Sequence, residues 1–289
     1  MKLASICTAI ALMATATSFA RETVRLWDQK PPTDNGITET ETTERDGFWV
    51  KNVSEAEMIV YHPDSKNNTG GAIVICPGGG YGGLAIDHEG YQFAAWLRSR
   101  GITAAILKYR MPNGHKEVPL EDARQAIRLL RANATQWGIK PNKVGIAGFS
   151  AGGHLAATAS TCFSENGNSS RPDFSVLFYP VISMKSFVHK GSKERLLGQC
   201  PSIEDMEKFS PELQVTKDTP PAILLLSDDD TGVDPRNSLL YYNRLIENQI
   251  PAAMYVFPTG GHGWGMNISF EYHCQMLELL DNWLQYILK

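Results

Sequence analysis

The residues best suited to chemistry lie in four short stretches, each directly after an apolar run. These stretches read PGGGY from Pro77, GFSAGG from Gly148, SDDD from Ser227 and PTGGHGW from Pro258. Together they contain serines, three carboxylates, a histidine and glycine amides with no side-chain cover. Attack on a carbonyl needs such a set: a hydroxyl, a base that takes its proton, an acid that orients the base, and amides that meet the oxyanion.

Ser150 has the sequence context of a nucleophile elbow. Gly148, Ser150 and Gly152 form the pattern G-x-S-x-G between a strand-like run and a helix-like run. The turn strains the serine backbone and needs glycines on both sides, because a Cβ there would clash between the strand and the helix. The alternative is a glycine turn made only for close packing. We predict that Ser150 is a nucleophile.

His262 is the histidine predicted to act as the base. It follows the last predicted strand and is flanked by glycines that let the loop turn tightly. His154 is nearer in sequence to the serine, but it lies within the following helix and is predicted to be a hydrogen-bonded core residue. The acid is expected among residues 228–230, so the triad members would follow one another in the order Ser, Asp, His. A calcium site at this acidic run is a weaker alternative.

The oxyanion would be met by backbone amides. The N–H of Ala151 lies at the start of a helix, where amides have no intrahelical partner. The run Gly78, Gly79 and Gly80 can supply further donors, since glycines let the backbone approach a substrate closely. The alternative for this run is a simple glycine turn.

Alternating strand and helix patterns predict an α/β fold that positions these loops. We expect strands at 58–62, 71–76, 102–108, 143–147, 174–181, 222–226 and 253–257, and helices at 88–100, from 119, from about 151, at 235–248 and at the C-terminus. Such alternation implies a mostly parallel central sheet with helices on both faces. All four loops then lie at the carboxyl edge of the sheet, where ligands bind in folds of this kind.

The remaining segments suggest an exported, single-domain protein. Residues 1–20 have the composition of a signal peptide ending at Ala20, since their apolar run is too short for a membrane anchor. Residues 21–57 are expected to form an irregular surface arm, residues 58–289 the catalytic domain, and residues 183–215 a polar cap or rim within it. Cys76 is expected to be a small buried residue, and the pairing of the cysteines is left open.

Composition limits the partners. The formal net charge is −4, with 43% hydrophobic and 20% charged residues, which does not favour nucleic acid or an anionic membrane surface. The cysteines are widely spaced with no CxxC pair, so a zinc site is not indicated. No metal or cofactor is expected.

The chain resembles a secreted bacterial branch of the α/β-hydrolase superfamily that includes acetylxylan esterase-like and feruloyl esterase-like enzymes. The resemblance covers about residues 58–288 and rests on PGGGY, LKYRM, LEDARQAIRLLRANATQWGI, KVGIAGFSAGGHLA, SPELQVTKDTPPAILLLSDDD and GGHGWG. It implies an α/β-hydrolase fold with Ser150 as the nucleophile, His262 as the base and Gly79, Gly80 and Ala151 as oxyanion donors. The family places its acid before a V-P-x-x-N-S stretch, which implies Asp230, with Asp229 as the runner-up because Asp234 replaces the usual proline. Pro77 stands where related lipase-like enzymes have histidine.

The resulting hypothesis is a secreted serine esterase that removes acetyl or similar small acyl groups from plant polysaccharide such as xylan. Its partner would be an acylated polysaccharide or oligosaccharide, and its activity should fall on the acid side because a protonated imidazole cannot accept a proton. One alternative is a serine peptidase of the prolyl-oligopeptidase type, although the chain has no propeller. The other is a non-catalytic binding protein of the same fold. The acyl group, the glycan and the oligomeric state are left open.

Overall fold

A central eight-stranded sheet organises the molecule. The computed structural model describes residues 21–164 and 169–289, so the predicted signal peptide lies outside the described residues. The strands are β1 Arg21–Arg25, β2 Thr42–Glu44, β3 Trp49–Lys51, β4 Glu57–Tyr61, β5 Ala72–Cys76, β6 Thr103–Lys108, β7 Val144–Phe149, β8 Ser175–Phe178, β9 Ala222–Ser227 and β10 Ala252–Phe257. The sheet order is β1-β4-β6-β5-β7-β8-β9-β10, whereas β2 and β3 form a separate hairpin.

The sheet is antiparallel at one edge and parallel elsewhere. β1 pairs with β4 and β4 with β6 in antiparallel fashion, and the strands from β6 to β10 run parallel. Every residue of β5, β7, β8 and β9 is buried. Because neighbouring side chains of a strand point to opposite faces, complete burial means that both faces are covered. The predicted α/β fold is confirmed.

Eight α-helices accompany the sheet within the described residues. They are α1 Gln92–Ser99, α2 Val118–Ala132, α3 Ala134–Trp137, α4 Ser150–Thr161, α5 Lys190–Leu197, α6 Ile203–Lys208, α7 Arg236–Glu247 and α8 His273–Ile287. The predicted period is visible in α2, where Leu120, Ala123, Ile127 and Leu130 are all buried. The helix expected at 88–100 differs from the prediction, since its first part, Asp87–Tyr91, is a π-helical turn.

Residues 21–57 are more ordered than the predicted surface arm. β1 joins the main sheet through β4, in a register that places Thr23 opposite Ile59. The residues of β1 alternate between exposed and half-buried, as in an edge strand, and such a short polar run carries little sequence signal. Further along, Val50 and Val53 belong to the hydrophobic core, so part of the segment is integral to the fold.

The polar stretch 183–215 contains α5, α6 and the 3-10 turn Pro211–Leu213. Arg195 of α5 donates a hydrogen bond from Nη1 to the Gly80 carbonyl at 3.1 Å, so this stretch lies against the glycine-rich loop. Cys76 is fully buried as predicted, and the four cysteines of the described ranges are free thiols. Within those ranges, no helix has the length and apolarity needed to cross a membrane.

Candidate active site

Ser150 lies at a tight turn between β7 and α4. Its φ is +52°, in the left-handed region that costs a residue with a Cβ about 1–3 kcal/mol. The flanking glycines make the turn possible: a Cβ on Gly148 would lie 2.1 Å from the Gly152 carbonyl oxygen, and one on Gly152 would lie 2.0 Å from that of Cys76. The backbone therefore has the geometry that the G-x-S-x-G pattern predicts.

Ser150, His262 and Asp230 form one chain of hydrogen bonds. His262 Nε2 lies 2.7 Å from Ser150 Oγ, and Nδ1 lies 2.7 Å from Asp230 Oδ2. A carboxylate only accepts, so Nδ1 carries the proton and donates it to Asp230. Nε2 of the neutral ring is then an acceptor, and the Ser150 hydroxyl donates to it. Ser150 begins α4 directly after β7, and Asp230 and His262 lie in the loops after β9 and β10, so all three meet at one edge of the sheet.

The three consecutive carboxylates have different surroundings. Asp230 is buried, and its Oδ1 accepts from the amides of Gly232 at 2.8 Å and Val233 at 2.9 Å. Asp229 is exposed and accepts from the Gly261 amide at 2.8 Å, while Asp228 is exposed as well. Of the acids left open by the sequence, the structure brings only Asp230 to the imidazole, whereas Asp229 holds the backbone of the histidine loop.

Three backbone amides near Ser150 have no acceptor among the protein groups that the structure describes. Within the described ranges, no hydrogen bond from the N–H of Gly79, Gly80 or Ala151 to another protein group is found. Gly79 and Gly80 have φ values of +134° and +60°, which glycine adopts readily. The loop lies close to the serine, because a Cβ on Gly78 would be 3.0 Å from Ser150 Cβ. Such free amides can donate to a developing oxyanion.

His154 is a core residue, as predicted. Only 1% of it is exposed. Nε2 lies 2.8 Å from the Phe209 carbonyl, which only accepts, so Nε2 carries the proton. Nδ1 then accepts from the Tyr81 hydroxyl, also at 2.8 Å. Burial lowers the pKa of His154 to about 4, so its ring is neutral near pH 7.

Several side chains beside the site carry no pattern that the sequence analysis could detect. His189 and Arg195 come from the polar stretch 183–215, and a Cβ on Gly80 would lie 3.7 Å from His189 Cε1. Burial, followed by the charges of His262 and Arg195, lowers the pKa of His189. Glu89 and Tyr179 are buried against the same loops. All four are brought near Ser150 by tertiary contacts between distant segments, which no local spacing reveals.

Metal ligands do not cluster in the described ranges: no group of three or more His, Cys, Asp or Glu side chains there has a metal-holding arrangement. Within the acidic run 228–230, Asp230 contacts His262, Asp229 contacts Gly261, and Asp228 is exposed.

The sheet order and the serine turn after β7 define the chain as an α/β-hydrolase. A model of the BD-FAE family matches residues 58–245. The chain belongs to this family, and the resemblance noted in its motifs is confirmed.

Relatives named for xylan chemistry match most of the chain. It is 40% identical over 239 residues to an acetylxylan esterase of Xylanibacter ruminicola, covering 81% of this chain and 48% of that protein. It is 38% identical over 242 residues to endo-1,4-beta-xylanase B of Butyrivibrio fibrisolvens, covering 76% of this chain and 37% of that protein. The chain thus spans less than half the length of these two curated relatives.

A solved structure is similar over nearly the whole length of both chains. The crystal structure of an acetyl ester-xyloside bifunctional hydrolase from Caldicellulosiruptor lactoaceticus superposes with a TM-score of 0.80 at 35% identity, covering 92% of this chain and 96% of that one.

Proposed function

We propose that the chain is a serine carboxylic ester hydrolase that works through an acyl-enzyme. The observation that carries the proposal is the pair of 2.7 Å hydrogen bonds joining Ser150, His262 and Asp230. The first bond gives the serine proton an acceptor, and the second places a carboxylate on the far side of the same ring. A hydroxyl within reach of an oriented base is the arrangement that activates serine as a nucleophile.

The first half-reaction makes the acyl-enzyme. Ser150 Oγ forms a bond to the ester carbonyl carbon while its proton passes to His262 Nε2. The carbonyl π electrons move to oxygen, and the amides of Gly79, Gly80 and Ala151 donate to the oxyanion. Asp230 stabilises the imidazolium. When the intermediate collapses, the carbon–oxygen bond to the alcohol breaks, and His262 returns the proton to the leaving oxygen.

The second half-reaction releases the acid. Water gives a proton to His262 Nε2 and its oxygen bonds to the acyl carbon, which again places negative charge on the carbonyl oxygen. Collapse breaks the bond to Ser150 Oγ, and the proton held by His262 passes to that oxygen. Both half-reactions use the same base and the same amides.

For the substrate we propose acetyl or similar small acyl groups on plant polysaccharide such as xylan. The proposal is supported by the relatives, which are named an acetylxylan esterase and a xylanase, and by the solved acetyl ester-xyloside hydrolase. The partner would be an acylated polysaccharide or oligosaccharide.

The test is a release assay on three substrates. Acetate from acetylated xylan, ferulate from feruloylated arabinoxylan and dipeptide from a prolyl peptide are quantified side by side, with Ser150→Ala as the control. We expect acetate in excess of ferulate, no peptide cleavage, and no release by Ser150→Ala. Peptide cleavage without ester cleavage would replace the esterase with a peptidase.

We also propose that the protein is exported after removal of residues 1–20. The composition of this segment supports the proposal, and cleavage after Ala20 would keep Arg21–Arg25 available to pair with β4. Mass spectrometry of protein recovered from outside the cytoplasm should find Arg21 at the N-terminus. An intact N-terminus on such protein would contradict cleavage.

A further inference from the structure

Glu89 is a buried carboxylate outside the proposed catalytic machinery. It belongs to the π-helical turn Asp87–Tyr91, and single turns of this kind are rare and often found at functional sites. Only 3% of the residue is exposed. Burial raises the pKa of Glu89, so a charge here is unfavourable unless both oxygens receive hydrogen bonds.

Each carboxylate oxygen of Glu89 receives a hydrogen bond, and the two donors come from different segments. The Gly78 amide donates to Oε2 at 2.7 Å, and the Tyr179 hydroxyl donates to Oε1 at 2.8 Å. Gly78 directly precedes Gly79 and Gly80, the proposed oxyanion donors. Fixing the Gly78 peptide therefore fixes the start of the turn from which their amides project.

Tyr179 extends this contact to the histidine loop. The Gly265 amide donates to its hydroxyl at 2.8 Å, and a phenol oxygen that accepts one bond can still donate its own proton to Glu89. The tyrosine ring also packs edge-on against His262, with 4.9 Å between ring centroids. The φ of Tyr179 is +35°, a conformation that persists only where the surroundings enforce it.

We propose that Glu89 is a positioning residue that, through Tyr179, holds the 78–80 loop and the 262–265 loop in fixed relation on either side of Ser150. This inference rests on the proposed esterase function. A displacement of about 1 Å in a catalytic group can lower a rate by about 100-fold. Since the network touches the oxyanion and histidine loops rather than the outer surface, its loss should lower kcat and leave KM nearly unchanged.

Two conservative variants test the network. Tyr179→Phe removes one oxygen, so Glu89 Oε1 loses the hydrogen bond from the tyrosine and the Gly265 amide loses its acceptor. Glu89→Gln keeps the size of the side chain but has one acceptor oxygen instead of two. Its amide nitrogen either faces the Gly78 N–H, donor against donor, or makes the Tyr179 hydroxyl turn its proton away. Each variant should lower kcat on p-nitrophenyl acetate by about 10- to 100-fold, with KM within about twofold of the native value.

Tyr241→Phe is the matched control. Tyr241 is a fully buried tyrosine of α7 whose hydroxyl makes no hydrogen bond in the part of the chain that the structure describes. Losing this oxygen should leave kcat at the native value. For every variant, kcat is divided by the fraction of molecules that diethyl p-nitrophenyl phosphate labels at Ser150, and circular dichroism follows thermal unfolding, so unfolded protein is not counted as slow enzyme.

The double variant shows whether the two residues act as a unit. If they do, Glu89→Gln with Tyr179→Phe will be about as slow as the slower single variant, whereas independent effects would multiply. Native kcat in both single variants, or a multiplied loss in the double variant, overturns the proposal. Ser150→Ala separates the two hypotheses: if it is inactive, those outcomes overturn only the positioning role, and if it turns over like the native protein, the proposed serine mechanism itself fails.

Discussion

Two histidines occupy two very different regions of this molecule. His154 lies inside α4 and bonds a hydroxyl and a carbonyl, both uncharged. His262 lies in the loop after β10 and bonds a hydroxyl and a carboxylate. In the neutral state the proton lies on Nε2 of His154 and on Nδ1 of His262. Both rings are near the serine turn. They differ in what happens when a second proton arrives.

The partner on the far side of each ring decides whether a positive charge is tolerated. In the part of the chain that the structure describes, no carboxylate hydrogen-bonds to the His154 ring, and burial lowers the pKa of that ring to about 4. His262 faces Asp230, and 27% of its side chain is exposed. A base must carry the serine proton during the reaction, so only the second environment suits catalysis. The partners of each ring therefore indicate the catalytic base better than proximity in sequence to Ser150 does.

The largest expected effect comes from removing the ring that can hold the charge. His262→Ala should lower kcat on p-nitrophenyl acetate by about 10⁶-fold, because Ser150 then has no base. The free energy of unfolding should change little, since the ring is partly exposed. His154→Gln, assayed in parallel, should retain kcat within a few-fold. If kcat fell equally in the two variants, the two histidines would not differ in their importance for catalysis.

The next effect comes from keeping the ring but changing its far partner. Asp230→Asn should lower kcat by about 10⁴-fold, because an amide in place of the carboxylate no longer fixes the correct tautomer or stabilises the imidazolium. Stopped-flow measurement of acyl-enzyme formation should show the loss in the first half-reaction. A native rate in this variant would mean that the acid of the site is another residue.

Much of this arrangement could be predicted because it follows from local patterns. Residues 72–76 and 222–226 are apolar throughout, since both faces of the sheet are covered, and their short length and bounding residues identify them as strands. Parallel strands bring their carboxyl ends to one edge, so loops far apart in sequence, such as those that hold Ser150 and His262, are expected to meet.

What could not be predicted depends on contacts between distant segments. Nothing in the residues around Glu89 indicates a π-helical turn, and its partner Tyr179 lies 90 residues away. β1 is equally hidden, because only its pairing with β4 distinguishes the polar run Arg21–Arg25 from a surface loop. The helical pattern at 88–100 was correct for Gln92–Ser99 but not for the turn before it.

A smaller effect concerns stability and tests whether the buried ring of His154 is neutral. Its pKa of about 4 lies below the ordinary histidine value of 6.5, so the unfolded chain binds more protons between these pH values. Above pH 6.5, His154 should therefore not reduce the free energy of unfolding. As the pH drops towards 4, this residue should lower the free energy of unfolding by about 3 kcal/mol. Urea unfolding across this window should show the decrease in the native protein, and His154→Gln should lack that increment. Identical pH curves for the two proteins would contradict the buried, neutral ring.

The smallest effect distinguishes Asp229 from its neighbour Asp230. Among the described residues, Asp229 accepts a hydrogen bond only from the Gly261 amide, one residue before His262, so it shapes the loop without touching the ring. Asp229→Ala removes this acceptor and should lower kcat by about threefold, near the effect of one exposed hydrogen bond. Asp229→Asn keeps an oxygen that can accept from the same amide and should restore the native kcat, which steady-state assays on p-nitrophenyl acetate can resolve. Because the same change at Asp230 is expected to be crippling, a large loss in Asp229→Asn would mean that charge, rather than the hydrogen bond to the loop, is what Asp229 contributes.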